Sequence, residues 1–523
     1  MATEKGNKLS KIPMLTKGQI AKLVIVTVIN ALITIGLIVG MIFLNGSEEG
    51  RLAFNEYFSN SSDKFIFLAV SVVFLSGIVA VYFYFENRAF VKEASNLEMI
   101  FLAMQITLII SFFVGKYLNV FLRPLILCAI LLLPLTDRRT AIFTNIIMCV
   151  LVISVDFFIN TTYANSYSII SIAILGLVCG TIGVYLMDKV YSRLHTVLRS
   201  LVLAIPSLVC ITMVGGSITD NLMLFLYATL SHILATILMI VMLPIFEYLF
   251  NRITTYRLAE TTRHDAPLIR KMIEIAPGTF NHSVLVSNVA EACATAIGED
   301  ALLARACAYY HDMGKLKQPE YFTENQKNGI NPHDNLTPEL STSIIKMHTK
   351  DGYELIKKNH LPTIFADVCL QHHGTMPILY FFEKASKFTD GEIAFENFLH
   401  YGPKPQTKIA AIIMIADSAE AAVRTLTERT RAEVEKKVKG IVKERLELGQ
   451  FDECDITMQE LSIIENSIVN TLTGVYHERI EYPKISLESL RAKNETAEQE
   501  KVVEEQQTEL KETTKEKKKK GDK

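Results

Sequence analysis

Tyr309-Tyr310-His311-Asp312-Met313-Gly314-Lys315 sets an imidazole and a carboxylate side by side where the apolar-periodic run Ala301 to Tyr310 stops. A carboxylate has two oxygens and can touch two cations at once, so an adjacent His-Asp pair is a nucleus for a two-metal centre. Five more residues fall where a helical reading turns them toward the same interior. His282 opens the run Val284 to Cys293, and His348 lies in a helix that Thr337 can cap and Pro338 can start. His372 and His373 close a helix from Pro362, just before Gly374, and Asp417 sits mid-helix in Ile409 to Ala422. Asp417 is flanked by Ile, Met and Ala, where a carboxylate is costly unless paired or metal-bound. A lone histidine is ordinarily a core or surface residue, but five of the chain's 12 histidines and two aspartates share this placement. Five His and two Asp suit two octahedral first-row ions, Mn or Fe rather than tetrahedral Zn. A water bridging them, acidified to hydroxide, attacks a phosphoester in line.

Outward from this half, hydropathy divides the chain. At 523 residues it holds more than one structural unit, and a 50% hydrophobic content is too high for an ordinary soluble protein. The excess is confined to residues before 250. Residues 1–18 are polar and lysine-bearing, and 19–249 read as a membrane domain of eight spans. The first, 19–44, reads as an uncleaved anchor. The others are expected at about 64–85, 98–116, 118–135, 140–162, 167–187, 198–216 and 221–249. Arg88, Lys92, Arg138, Arg139, Lys189, Arg193 and Arg199 join the N-terminal lysines on one side; the opposite loops offer Arg51, Lys64 and Lys116. The positive-inside rule then makes both termini cytoplasmic. Arg123 and Asp156 map toward the outer interface, where snorkelling explains them more simply than a transport pathway. The 8 cysteines show no CxxC spacing and read as reduced thiols.

Residues 250–276 read as a helix connecting the last span to a soluble domain over 277–484. That domain is amphipathic helix throughout, with breaks expected at Gly278, Pro332, Pro362, Gly374 and Gly402-Pro403. Residues 485–523, rich in Glu and Lys and ending in Lys517 to Lys520, read as a disordered charged tail. The fold class is therefore all-α: a polytopic helical membrane domain followed by a helical metal-dependent phosphohydrolase domain.

The soluble half resembles the HD domain of the seven-transmembrane HD family, the PgpH-type cyclic di-AMP phosphodiesterases. The resemblance rests on Ala276-Pro277-Gly278-Thr279-Phe280-Asn281-His282-Ser283, His311-Asp312-Met313-Gly314-Lys315, Gln371-His372-His373-Gly374-Thr375, Tyr401-Gly402-Pro403-Lys404-Pro405, Met414 through Arg424, Gly449-Gln450 and Tyr476 through Pro483. It implies that one ion is held by His282, His311, Asp312 and Asp417 and the other by His348, His372 and His373, with Asp312 bridging. It also implies that Asp312 and Lys315 are catalytic, and that Lys315 and Arg424 face substrate phosphate; each is weighed against an ordinary surface cation. His333, His360, His400 and His477 match no ligand position and are read as structural. Two departures stand out: Asn281 occupies a position that is often His in the family, and the interval Asn45 to Asp63 is too short for the family's large extracellular domain.

The activity so implied is hydrolysis of cyclic di-AMP to linear pApA in the plasma membrane of a bacterium. The partners are a cyclic dinucleotide and the lipid bilayer, without polymeric nucleic acid, and a homodimer stays open. Nothing in composition or spacing reads an adenine. Cyclic di-GMP is a rival substrate, although the Gly-Tyr-Pro signature of its HD hydrolases is replaced here by Gly374-Thr375-Met376-Pro377. A guanosine polyphosphate is a weaker rival. The alternative from another class is a receptor or transporter whose HD domain binds nucleotide only to regulate.

Overall fold

Apolar runs with no polar stripe become long helices in lipid, because every backbone N–H and C=O must be satisfied within the segment. The computed structural model describes residues 15–45, 62–159, 166–215, 221–326, 331–388 and 393–475, apart from 89, 189 and 191, with 55, 58–60 and a few positions between 498 and 511. Most of the N-terminal segment, Arg51, Lys189, the motif Tyr476 to Pro483 and Lys517 to Lys520 lie outside the described residues. Among those described, every named element is helical, and the one β feature is an isolated bridge between Pro377 and Leu399.

The membrane half comprises α1 (Lys17–Asn45), α2 (Ser62–Glu86), α3 (Ala94–Tyr117), α4 (Leu127–Leu135), α5 (Arg138–Ile159), α6 (Ser166–Met187), the pair α7 (Arg193–Val202) and α8 (Ala204–Gly215), and α9 (Leu222–Leu249). Seven stretches are long and apolar enough to cross a bilayer, counting α7 and α8 as one. The expected span 118–135 is the exception. It holds a 3-10 turn, Val120–Leu122, and only the nine residues of α4, which rise about 14 Å against the ~30 Å of hydrocarbon. Arg123, before Pro124, is extended at φ −60°, ψ 126°, as a residue preceding proline prefers. The segment still runs antiparallel to α5 over nearly its whole length, with Arg123 beside Asp156 at one end and Leu135 leading into Arg138 at the other. Its irregular backbone is tolerated because the segment is buried in protein.

Snorkelling is not what Arg123 and Asp156 do. The guanidinium grips the carboxylate at both ends, Nη2 at 3.0 Å from Oδ1 and Nη1 on Oδ2, and the two side chains are 1% and 4% exposed. Other polar groups pair inside the same bundle: Gln105 with Asn30 and Thr34, Asn145 with the Gly176 carbonyl, and His232 with Ser207.

The connection after α9 is two helices, not one. α10 (Thr255–Thr261) is capped by Thr254, and α11 (Pro267–Ile275) starts at a proline after extended Ala266. Tyr256 Oη lies 2.7 Å from Thr196 Oγ1, fastening α10 to α7. The soluble domain then follows as α12 (Pro277–Ile297), α13 (Ala301–Tyr310), a 3-10 turn (Met313–Lys317), α14 (Pro338–Lys358), α15 (Thr363–Gln371), α16 (Leu379–Phe388), α17 (Lys408–Arg424), α18 (Arg431–Glu447) and α19 (Met458–Val475). Gly278 is no break; it lies in the first turn of α12. α17 runs through the core, with Ile409 to Asp417 all buried. The residues from Leu472 onward belong to a second unit, in which positions 500–508 are helical and exposed rather than irregular, in keeping with the helix propensity of Lys, Glu and Gln.

Removing one partner of the intramembrane ion pair strands the other charge. Arg123→Met or Asp156→Leu alone is expected to cost about 3–5 kcal/mol, and the double substitution is expected to recover most of it. Thermal unfolding of the detergent-purified full chain checks this, and a loss in the double variant equal to the sum of the two single losses would show that the pair contributes nothing specific.

Candidate metal centre

His282 projects from the second turn of α12. Its Nδ1 lies 2.5 Å from Glu420 Oε2 on α17, and its Nε2 lies 2.9 Å from Asp417 Oδ1. A carboxylate on the far nitrogen fixes ring and tautomer and leaves the near nitrogen for a ligand. His311 ends α13; its Nδ1 donates to the Ala308 carbonyl at 2.7 Å, so Nε2 faces Asp312 Oδ2 at 3.3 Å and Asp417 Oδ1 at 3.8 Å.

Asp312 is 1% exposed, and its two oxygens face different ways. Oδ2 lies 3.3 Å from His311 Nε2 and 3.7 Å from His282 Nε2, whereas Oδ1 lies 3.4 Å from His348 Nε2 and 3.6 Å from His372 Nε2. On that second side, His348 Nδ1 donates to the Ile345 carbonyl and His372 Nδ1 to that of Cys369, which brings the two Nε2 atoms to 3.3 Å. His373 packs against His372 with ring centres 4.0 Å apart and planes tilted by 43°, its Nδ1 3.8 Å from Asp417 Oδ2. Two glycines permit this. A Cβ on Gly314 would meet the His348 carbonyl oxygen at 1.8 Å, so only glycine lets the turn after Asp312 press against α14. Gly374, at φ +51°, reverses the chain after His373, and a Cβ there would strike Gln450 Oε1 at 2.3 Å.

The seven expected ligands therefore fall into two sets, His282 with His311, Asp312 and Asp417, and His348 with His372 and His373; within each, one ligand atom per residue lies within 4.8 Å of the others. The chemistry fits divalent cations. Asp312 Oδ1 and His311 Nε2 are buried without a hydrogen-bond partner, a costly state that cations relieve. Burial opposes charging His311, but Asp312 and Asp417 outweigh it and push the ring up to about 10; Asp417 and Glu420 raise His282 against burial in the same way. Burial likewise opposes ionising Asp312, yet Lys315 and His311 hold its carboxyl well below the usual range. In the second set burial dominates, lowering His348 to about 3 and His373 well below its ordinary value, so both rings are neutral and able to donate lone pairs.

Lys315 and Arg424 both lie against carboxylates. Lys315 Nζ lies 2.7 Å from Asp312 Oδ2 and 2.9 Å from Glu324 Oε1, and Arg424 leans on Glu420 at 3.9 Å. Sequence reasoning missed Glu420, Glu324 and His400. The signal for Glu420 was available: it stands three residues after Asp417 on the same apolar helix and is fully buried. His400 packs 4.5 Å from the His373 ring, centre to centre, although its sequence neighbourhood carries no helical pattern.

An all-helical membrane domain joined to a two-set His/Asp pocket built around a His-Asp doublet defines a polytopic membrane protein with an HD-type metal domain. Residues 279–422 match the family model for the HD domain, and residues 64–255 match that for a 7TM receptor with intracellular HD hydrolase. The chain belongs to this seven-transmembrane HD family. It is similar to the cyclic-di-AMP phosphodiesterase PgpH of Listeria monocytogenes, 50% identical over 264 residues, which make up 50% of this chain and 37% of that protein. It is also similar to PgpH of Bacillus subtilis, 37% identical over 423 residues, 78% of this chain and 58% of that one. The chain thus spans less than two thirds of the length of either relative. The crystal structure of the L. monocytogenes PgpH HD domain in complex with cyclic-di-AMP is 50% identical and covers 41% of this chain and 100% of its own, with a TM-score of 0.40.

Glu420 orients a ligand without reaching the ions, so Glu420→Gln is expected to weaken metal binding by roughly 10–100-fold while leaving the fold intact. Metal titration followed by calorimetry measures this; unchanged affinity would reduce Glu420 to a buried structural carboxylate.

Proposed function

We propose that this chain is a membrane-anchored, metal-dependent phosphodiesterase that opens cyclic di-AMP to linear pApA. One observation carries the reading: Asp312 stands between the two ligand sets, one oxygen toward each. The activity for which the two PgpH relatives are named supports the substrate. His282, His311, Asp312 and Asp417 would hold one ion and His348, His372 and His373 the other, and seven nitrogen and oxygen donors without thiolate favour Mn or Fe over Zn. Ions so held supply Lewis acidity to the phosphoryl oxygens and a water acidic enough to be a nucleophile at neutral pH.

The protein's own residues prepare that step. Lys315, anchored on Glu324, keeps Asp312 ionised and adds positive charge beside the reacting phosphate. Glu420, steadied by Arg424, holds His282 in register, and burial keeps His348 and His373 unprotonated. In the reaction a water oxygen bonds to phosphorus, the bond from phosphorus to the 3′ oxygen breaks, and a proton from the water ends on that leaving oxygen. The basic-residue asymmetry supports cytoplasmic termini in a bacterial plasma membrane, which places the pocket where a cytosolic nucleotide reaches it.

Metal analysis and nucleotide turnover by the purified full chain test the proposal. Asp312→Ala is expected to lose bound metal from both sets and to lower turnover by more than about a hundredfold, since a ligand shared by both sets matters at least as much as an outer partner. Wild-type protein that leaves cyclic di-AMP intact while opening cyclic di-GMP or a guanosine polyphosphate would overturn the substrate. Metal-free protein that still binds nucleotide tightly would favour the receptor reading.

A further inference from the structure

Beside the end of the last span lies a cavity of about 350 Å³ that the metal centre does not use, a size within the roughly 300–1,000 Å³ of small-molecule sites. Pro244, Glu247 and Tyr248 line it from α9, Arg257 from α10, Leu268 from α11 and Leu361 from the segment after α14. Two of these six carry opposite charges, and neither has an ionic partner. Glu247 is 5% exposed; its Oε1 accepts from the Thr254 hydroxyl, whereas Oε2 accepts no hydrogen bond and no cation lies within ion-pair distance among the described residues. The Arg257 guanidinium donates only to backbone carbonyls, those of Glu247 at 3.2 Å, Arg252 at 3.0 Å and His360 at 3.2 Å, so no carboxylate within ion-pair distance neutralises it among the described residues. Arg257 thus touches the carbonyl of Glu247 and not its carboxylate. Burial lowers the guanidinium from its ordinary value by more than nearby Glu247 raises it. Desolvated charges in this state gain most from a partner that brings both signs.

The position of the cavity says where such a partner comes from. Val241, Ile245 and Tyr248 form one face of α9, each more than half exposed, and on an apolar span that face meets lipid. Tyr248 ends this strip and also lines the cavity, at the level where a tyrosine anchors a span among lipid head groups. We infer that the cavity binds the head group of an amine-bearing phospholipid from the leaflet beside the soluble domain, its phosphate on Arg257 and its ammonium on Glu247. An anionic head group without an amine would leave the Glu247 carboxylate unpaired and add a second negative charge next to it. The acyl chains would lie along the exposed face of α9. The site is independent of what the metal sets hydrolyse.

Native mass spectrometry of the detergent-purified full chain tests this, with phosphatidylethanolamine, phosphatidylglycerol or soluble phosphoethanolamine added. Wild-type protein is expected to retain phosphatidylethanolamine about tenfold more tightly than phosphatidylglycerol, the size of one hydrogen bond to a charged group. Glu247→Gln keeps an acceptor for Thr254 but loses the charge, and it is expected to remove the preference between the two lipids. Leu361→Trp fills the cavity without touching either charge and is expected to lower retention of phosphatidylethanolamine by a similar factor; it locates the site even if Glu247→Gln fails to fold. Equal retention of the two lipids by wild type overturns the amine-bearing head group, and retention unchanged in Leu361→Trp overturns the cavity as its place. Soluble phosphoethanolamine bound as tightly as the lipid overturns the membrane as the source.

Discussion

A buried carboxylate with one oxygen toward each of two ligand sets governs this molecule. Asp312 is enclosed on all sides and has a single fixed cation, Lys315, on one oxygen. Coulombic attraction to that lysine and to His311 keeps it ionised against the cost of burial, and the remaining lone pairs are usable only by cations brought from outside. The rest of the domain is arranged around that demand. α13 stops at His311 so that the doublet leaves the helix together, and Gly314 lets the following turn touch the His348 carbonyl, which draws α14 up to the second oxygen. The spacing of the two ligand sets is therefore decided by a backbone contact, not by the histidines themselves.

The two sets are electrostatically unlike. The first contains both aspartates and has Lys315 and Glu420 beside it, and its histidines are drawn toward protonation by the carboxylates. Protons there occupy the role of a cation. In the second set His348 and His372 face one shared oxygen, Asp312 Oδ1, and burial strips His348 and His373 of charge. An ion entering the first set displaces protons, whereas one entering the second meets lone pairs already free. Affinity at the first set is accordingly the more sensitive to acid.

Much of this was legible in the sequence because each ligand stands at a place where local rules are strong. Thr337 and Pro338 start α14 as expected, His311 and His372 are C-terminal caps, and Asp417 stands out as an acid in an otherwise apolar helix. What periodicity does not supply is the partner. The carboxylates beside Lys315 and Arg424, Glu324 and Glu420, lie on a separate 3-10 turn and on a buried helical face. Arg123 and Asp156 looked like snorkelling residues for the same reason: hydropathy gives depth, and only packing shows that the two depths coincide on facing segments. The short α4 was misread as a full span because apolar composition continues through Pro124, where the helix cannot.

The junction between membrane and pocket has no slack. Glu247, in the last turn of α9, accepts from Thr254, the residue that caps α10. Arg257 on α10 donates to the carbonyls of Glu247 and Arg252 on one side and, at 3.2 Å, to that of His360 after α14 on the other. The carbonyl of Thr261, the last residue of α10, accepts from Tyr310 Oη at 2.8 Å, and Tyr310 is the residue before His311. Each step is a hydrogen bond at or within a few residues of a helix end. These bonds connect the end of the last span, through α10, to the helix end that presents the His-Asp doublet. The break at 262–266, which sequence read as continuous helix, is what frees α10 to lie against both the membrane bundle and α13 at once.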